Sequence, residues 1–276
     1  MGSVALSAAM QANLYSLDTI SSQIQSAQKQ LSTGKAVNSA SDNATAFFEA
    51  QAGNNEASQL NNLKNAMGQG LQVVNTALQT ITSATSLLQQ MQALAQQAES
   101  TTDTTQIGNL QTQFNQLQGQ LSELTQNDAN YQGTNLLAGS VSGNNLTINF
   151  NADGSSNITI AATDTTTATY QPSAATTWVS GGATAIQTSE TAASNAVTAY
   201  NGLSQTLGSY SALITTRQDF TTQLSTIFTT GANNLTNADL NQESADLLAL
   251  QTQQSLSVSA LSIANQSNQS ILRLFQ

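Results

Sequence analysis

Three carboxylates close to the C-terminal end, Asp239, Glu243 and Asp246, stand at i, i+4 and i+7. On a helix that spacing puts them on one face, where a hard cation would find oxygen ligands. The same acids also suit the first turns of a helix, where they answer the positive end of its dipole, and that reading is preferred. Nothing else in the chain offers a stronger chemistry. With no cysteine and no histidine, thiol nucleophiles, Cys/His zinc sites, disulfides and imidazole-based triads are excluded by absence. Paired carboxylates for glycoside hydrolysis would remain, but no pair falls in a segment that reads as a rigid pocket. Neither a catalytic residue nor a cofactor or metal site is therefore expected, and the chain does not read as an enzyme.

Composition narrows the partners as well. Charged residues make up 7% of the chain, against about 25% in an average globular protein, and amide and hydroxyl side chains take their place. The formal net charge is −10 with five basic residues, so a phosphate backbone would be repelled and nucleic acid is not an expected partner. Membrane insertion is not expected either. The longest chargeless stretch, 247–272, is too rich in Gln, Ser, Asn and Thr for a hydrocarbon core. Residues 1–10 lack the basic start and apolar run of a cleaved signal peptide.

The elements follow from periodicity. Leu6, Met10, Leu17, Ile20, Ile24, Ala27 and Leu31 recur three or four residues apart, with Asn13 the polar member, and predict an amphipathic helix. Thr33 and Gly34 stop it, and Ser39 with Asp42 reads as a capping box that starts the next helix. From Leu60 the seam runs through Leu63, Met67, Gly70, Val74, Ala77, Ile81, Ala84, Leu88, Met91, Ala95 and Ala98, predicting one helix over about 55–99. After a loop at 100–105, Ile107, Leu110, Phe114, Leu117, Leu121 and Leu124 predict a helix that returns along the long one and ends at 127–130.

Between 133 and 188 the period drops to two. Leu146, Ile148 and Phe150, then a turn at Asn151 to Gly154, then Ile158 and Ile160 predict a β-hairpin. The Thr- and Gly-rich remainder, with Pro172, Trp178, Gly181 and Gly182, reads as loops or a small β excursion, with Tyr170 and Trp178 in an outer segment. Helical spacing returns at Ala193, Val197, Tyr200, Leu207, Tyr210, Ile214, Leu224 and Phe228 and is expected to stop at Gly231. Thr236 and Asp239 read as a second capping pair, opening a last helix at about 238–275 with Leu240, Leu247, Leu250, Val258, Leu261, Ala264 and Ile271. The fold class is mostly α: a long antiparallel helical bundle or coiled coil formed by the N- and C-terminal regions, with a small β-hairpin insert in the middle. Narrow apolar stripes on nearly chargeless helices bury too little area alone, so both ends are expected to order against a partner.

Three separated motifs then carry a resemblance. Leu31, Ser32, Thr33 and Gly34, followed by Asn38, Ser39, Ala40 and Asp42, resemble the L-S-[ST]-G … N-S-A-x-D element of bacterial flagellins. Tyr131 to Leu137 resembles their [FY]-N-G-x-x-L-L element, and Ala260 to Gln266 with Ile271, Leu272 and Leu274 resembles their A-L-x-x-A-N-Q … [IV]-L-x-L terminus. Two departures stand out: Asn43, Ala44 and Thr45 where the family commonly continues D-A-[AG]-G, and Gln92 where it commonly has arginine.

The resemblance implies a structural subunit that self-assembles into the helical flagellar filament, a propeller for swimming, exported by the flagellar type III apparatus without a cleaved signal. It implies a terminal coiled coil, 1–40 with 237–276, as an inner tube; a helical rod, 41–135 with 189–236; and a short variable insert, 136–188, facing outward. The assembly interface would use Leu6, Leu17, Ile20, Ile24, Leu31, Leu247, Leu250, Leu261, Ile271, Leu272 and Leu274. The rod core would use Leu60, Leu63, Met67, Val74, Ile81, Leu88, Met91, Phe114, Leu117, Leu121, Val197, Leu207, Ile214 and Leu224. Implied partners are further copies of the chain and sister flagellins, the export apparatus and a chaperone, and the hook-associated and cap proteins. A hook-filament junction protein, or a flagellin-like surface protein that binds polysaccharide, would carry similar termini.

Overall fold

A computed structural model describes residues 8–139 and 143–274. The described chain runs α1 (Ala8–Thr33), α2 (Ala44–Glu99), α3 (Thr104–Glu123), β1 (Leu146–Asn149), β2 (Asn157–Ile160), α4 (Trp178–Thr236) and α5 (Leu240–Leu274). A π-helical turn, Leu124–Asp128, closes α3. The architecture is therefore mostly helical with one two-stranded antiparallel sheet. Contacts group the chain into two compact units, 1–56 with 227–276 and 57–226.

The second unit is built on the long seam of α2. Met67, Val74, Ala84, Leu88, Met91 and Ala95 are fully buried, as a 3-4 repeat requires when one stripe of a helix faces other helices. All the residues assigned to the rod core are buried except Leu117, Val197 and Leu224, which are half-buried. Asp103 caps α3, its carboxylate accepting from the Thr105 and Gln106 backbone N–H groups.

The hairpin pairs Leu146 with Ile160 and Ile148 with Ile158. Alternation turns Ile148 and Ile160 inward and leaves the Thr147 and Thr159 hydroxyls to meet at 3.1 Å on the exposed face. Gly70 makes that docking possible. A Cβ there would lie 2.5 Å from Ile148 Cδ1, so the glycine trades about 1 kcal/mol of helix propensity for close approach of the sheet.

Four boundaries differ from the periodicity reading. The helix expected at 55 begins at Ala44, because Asn43 caps it by accepting from the Ala46 N–H at 3.1 Å. Ser39 and Asp42 form no helix start; Asp42 instead accepts from the Asn38 and Ser39 N–H groups and the Ser39 hydroxyl, closing a turn before α2. Trp178, read as part of an outer segment, is 1% exposed. It packs on Phe114 with ring centroids 5.0 Å apart, and its indole N–H donates to the Ser189 hydroxyl. Finally, α4 begins at Trp178, bends at Gly182 (φ 60°, ψ −153°) and passes through Gly231 to Thr236. Glycine in a helix costs about 1 kcal/mol, which flanking packing of Ala232 and Thr236 outweighs.

Buried amides tie the π turn to the segment that follows. The Asn135 side-chain N–H donates to the Thr125 and Gln126 carbonyls at 2.9 and 3.1 Å, while its Oδ1 accepts from the Leu137 N–H at 2.8 Å. Leu136 and Leu137 are thereby fixed in the core. Tyr200 packs edge-on against Tyr170 at 5.2 Å. Burial of its hydroxyl pushes its pKa up to about 12 against a smaller opposing effect of the Thr165 and Thr125 hydroxyls.

Just before Asn135, Tyr131 and Thr134 exchange backbone hydrogen bonds across a two-residue turn. Both central residues have positive φ: Gln132 at 51° and Gly133 at 87°. Such turns favour Asn-Gly, because Asn tolerates the left-handed region better than a longer side chain. Gln132→Asn is expected to raise the stability of the monomer by about 0.5 kcal/mol, read as a higher denaturant midpoint with an unchanged slope.

Candidate assembly surface

The unit that joins the two chain ends rests on the pairing of α1 with α5. In α1 the inward positions Asn13, Leu17, Ile20, Ile24, Ala27 and Leu31 step by four and three; Ile20, Ile24 and Ala27 are buried and the others half-buried. In α5 the same steps pick out Glu243, Leu247, Leu250, Gln254, Ser257, Leu261 and Ala264, all half-buried. This is a heptad seam on both helices. Leu6 lies outside the described residues, as do the side chains of Ile271, Leu272 and Leu274.

Backbone pairing fixes where the two helices begin and end. Gly34, at φ 71°, stops α1, with its N–H on the Gln30 carbonyl at 2.8 Å. The Ala36 and Val37 N–H groups donate to the Thr236 carbonyl, and the Ala238 N–H donates to the Gly34 carbonyl at 3.0 Å. Thr236 does not cap α5. Its hydroxyl closes α4 on the Ala232 carbonyl, and the Asp239 carboxylate caps α5 by accepting from the Asn241 and Gln242 N–H groups. Gln30, with its amide turned to satisfy both groups, donates to Glu243 at 2.7 Å. Asp239 thus caps α5 and Glu243 lies in its first turn, and among the described residues no group of three such side chains is arranged to hold a metal ion.

The pair leaves much apolar surface uncovered. Among the described residues of α5 no apolar side chain is buried, and Leu248, Leu256 and Ile263 are each about two-thirds exposed. With Ala245 they form a second, exposed stripe on the side of α5 turned away from the α1 seam. Tyr15 and Leu14 protrude from α1, and Leu240 and Val258, read in sequence as seam members, are exposed as well. In the sequence this stripe shows as apolar residues beside the seam positions: Leu248 follows Leu247, and Leu256 and Ile263 precede Ser257 and Ala264. Two grooves flank the pair, of about 410 and 470 Å³. One is lined by Gln23, Gln30, Glu243 and Gln253, the other by Tyr15, Thr19, Gln23 and Ser257. The first also carries the carboxylates of Glu243 and Asp246, whereas the polar groups of the second are amides and hydroxyls. No described helix is long and apolar enough to cross a membrane.

Comparison with known proteins agrees with these helical ends. Residues 4–142 match the bacterial flagellin N-terminal helical region, and residues 190–275 match the bacterial flagellin C-terminal helical region. A flagellin of Brucella melitensis biotype 1 is 32% identical over 283 residues that cover 100% of both chains. Flagellin FljK of Caulobacter vibrioides is 34% identical over 95% of this chain and 94% of its own. Flagellin A of Rhizobium meliloti is 44% identical over a shorter stretch, 29% of this chain and 21% of its own.

The Asp42 turn lies between α1 and α2 and responds to pH. Its carboxyl is held below the ordinary 3.8, first by the Asn38 N–H, then by the Ser39 hydroxyl, with Lys29 at 3.4 Å a smaller contribution. A depressed carboxyl contributes stability that is present above the unfolded value and lost as pH falls through the folded one. Asp42→Asn is expected to melt below the native chain near neutrality, with the gap closing under pH 3.8, as thermal unfolding at stepped pH would show.

Proposed function

This chain belongs to the bacterial flagellin family and is a structural subunit of the flagellar filament; on that footing we propose that α1 and α5 are the elements that bind one copy to the next. It is the building block of a helical polymer used for motility, a surface structure of the cell, in a family whose role is structural. The relatives carry the name flagellin, so the junction-protein and polysaccharide-binding alternatives are set aside. The observation that carries the interface reading is that α5 has no buried apolar side chain among its described residues while presenting Leu248, Leu256 and Ile263 to solvent.

In this reading the terminal coiled coil, 1–40 with 237–276, forms the inner tube, the helices of 41–135 and 189–236 form the rod around it, and 136–188 is the variable insert. Leu17, Ile20, Ile24, Leu31, Leu247, Leu250 and Leu261 hold the two ends of one copy together. Leu6, Ile271, Leu272 and Leu274 extend the same apolar series at the tips, and the stripe at Leu248, Leu256 and Ile263 meets neighbouring copies. Burying a Leu or Ile contributes about 1.5–3 kcal/mol, so three per copy supply on the order of 5 kcal/mol before ordering is subtracted. Repetition along the polymer multiplies that modest gain. Catalysis has no part in this function. Export through the flagellar type III apparatus without a cleaved signal, a dedicated chaperone, and hook-associated and cap proteins at the two filament ends complete the proposal, as does mixing with sister flagellins.

Two results would test it. Leu248→Ser with Leu256→Ser and Ile263→Ser is expected to raise the critical concentration for seeded filament growth at least about tenfold, which corresponds to about 1.4 kcal/mol. The melting of the 57–226 unit should be unchanged. An unaltered critical concentration would remove the stripe from the interface. Because the contacts are apolar and amide-lined, about 0.5 M NaCl at neutral pH is expected to leave preformed filaments intact, as sedimentation would report.

A further inference from the structure

Helix α2 carries, in its middle, a carbonyl that accepts two side-chain hydroxyls from the following turn. The Lys29 carbonyl at the end of α1 likewise accepts two, from Ser32 at 2.9 Å and Thr33 at 2.8 Å, there just before Gly34, whose positive φ ends the helix. In α2 the Thr82 carbonyl accepts the hydroxyls of Thr85 at 2.8 Å and Ser86 at 3.1 Å, the same i+3 and i+4 spacing, yet the helix continues to Glu99. Hydroxyls bonded to a carbonyl in the preceding turn compete with the helical N–H for it and favour bending. The competition extends along the segment: Thr82 and Ser83 back-bond to the Leu78 and Gln79 carbonyls, and the Gln90 amide back-bonds to the Ser86 carbonyl at 3.3 Å.

From this repeated signature we infer that Thr82–Gln90 is a latent break in α2, a hinge about which the part of the helix beyond Ser86 changes direction. Packing permits the motion on one side and limits it on the other. Ile81, Ala84 and Leu88, and beyond them Met91, Ala95 and Ala98, face the core and are 2% exposed or less, so that face stays fixed and any tilt is a small one toward the open side. Beyond the hinge, α2 and α3 are separated by an open groove of about 380 Å³, lined by Gln90, Ala93 and Leu94 on one side and Gln113, Leu117 and Gln120 on the other. Long amide side chains that line an open groove can follow a tilting helix without losing fixed partners. The hinge concerns the shape of one copy and holds whatever the copy assembles into.

Amide hydrogen exchange on the full-length monomer tests it, with Thr85→Val to delete one hydroxyl at constant shape and β-branching, and Thr85→Ser to keep the hydroxyl. In the native chain the amides of Ser86 to Gln90 are expected to exchange at least about tenfold faster than those of the turn before Ile81. Thr85→Val is expected to slow them at least about threefold, with Thr85→Ser close to native. Ser86→Ala, which removes the second hydroxyl, should act in the same direction as Thr85→Val. Uniform exchange through this stretch in the native chain would overturn the hinge, as would identical behaviour of the valine and serine variants.

Discussion

Everything in this molecule depends on burying a stripe of apolar side chains, one helix face wide, against another helix. Charge contributes little, since one ion pair, Lys29 with Asp42, stands among the described residues, at 3.4 Å and on the surface. Where a third or fourth element covers the stripe, as at Met67, Leu88 and Phe114, the side chains are fully buried and the seam is complete. Where only two helices meet, as α1 and α5 do, a heptad of half-buried positions remains and the far side of α5 stays apolar and wet.

A chain so rich in amides and hydroxyls also has to give those groups partners within the fold. It does so by local reuse. Serine and threonine hydroxyls along the helices donate to carbonyls in the preceding turn, as Thr76, Thr206 and Thr252 do, which gives each donor a partner in its own helix. In the interior, Asn135 and Asn144 replace what a regular element would supply, each spanning backbone groups of separate segments. The motif from Tyr131 to Leu137 therefore has a physical content. Its glycine allows a turn with positive φ, its asparagine holds a π turn, and its two leucines enter the core.

Departures from regularity fall where packing asks for them. Gly70 admits Ile148. Gly182 lets the chain bend so that Trp178 can reach Phe114 and donate to Ser189. Trp178 escaped the periodicity reading because a lone aromatic in a Thr- and Gly-rich stretch has no neighbours in register to mark it as core. Its partners, Phe114 and Gln111, lie far away in sequence on α3.

Residue order predicts α1, α2, α3, α5 and the main part of α4, the antiparallel hairpin, and the buried positions of the long seam. Each of those is a local consequence of period: 3.6 residues per turn, or two per pleat, sorts side chains onto faces before any partner is known. Helix ends were less legible. Asn43 rather than Ser39 starts α2, and Asp239 rather than Thr236 starts α5, because several adjacent polar residues can cap and only the path of the backbone selects one. The second stripe on α5 was legible as letters but not as surface. Whether Leu248 or Leu247 faces α1 is decided by the rotation of one helix against the other, and a single chain's period cannot supply that angle. Tertiary packing chose it, and so determined which leucines close the pair and which stay exposed.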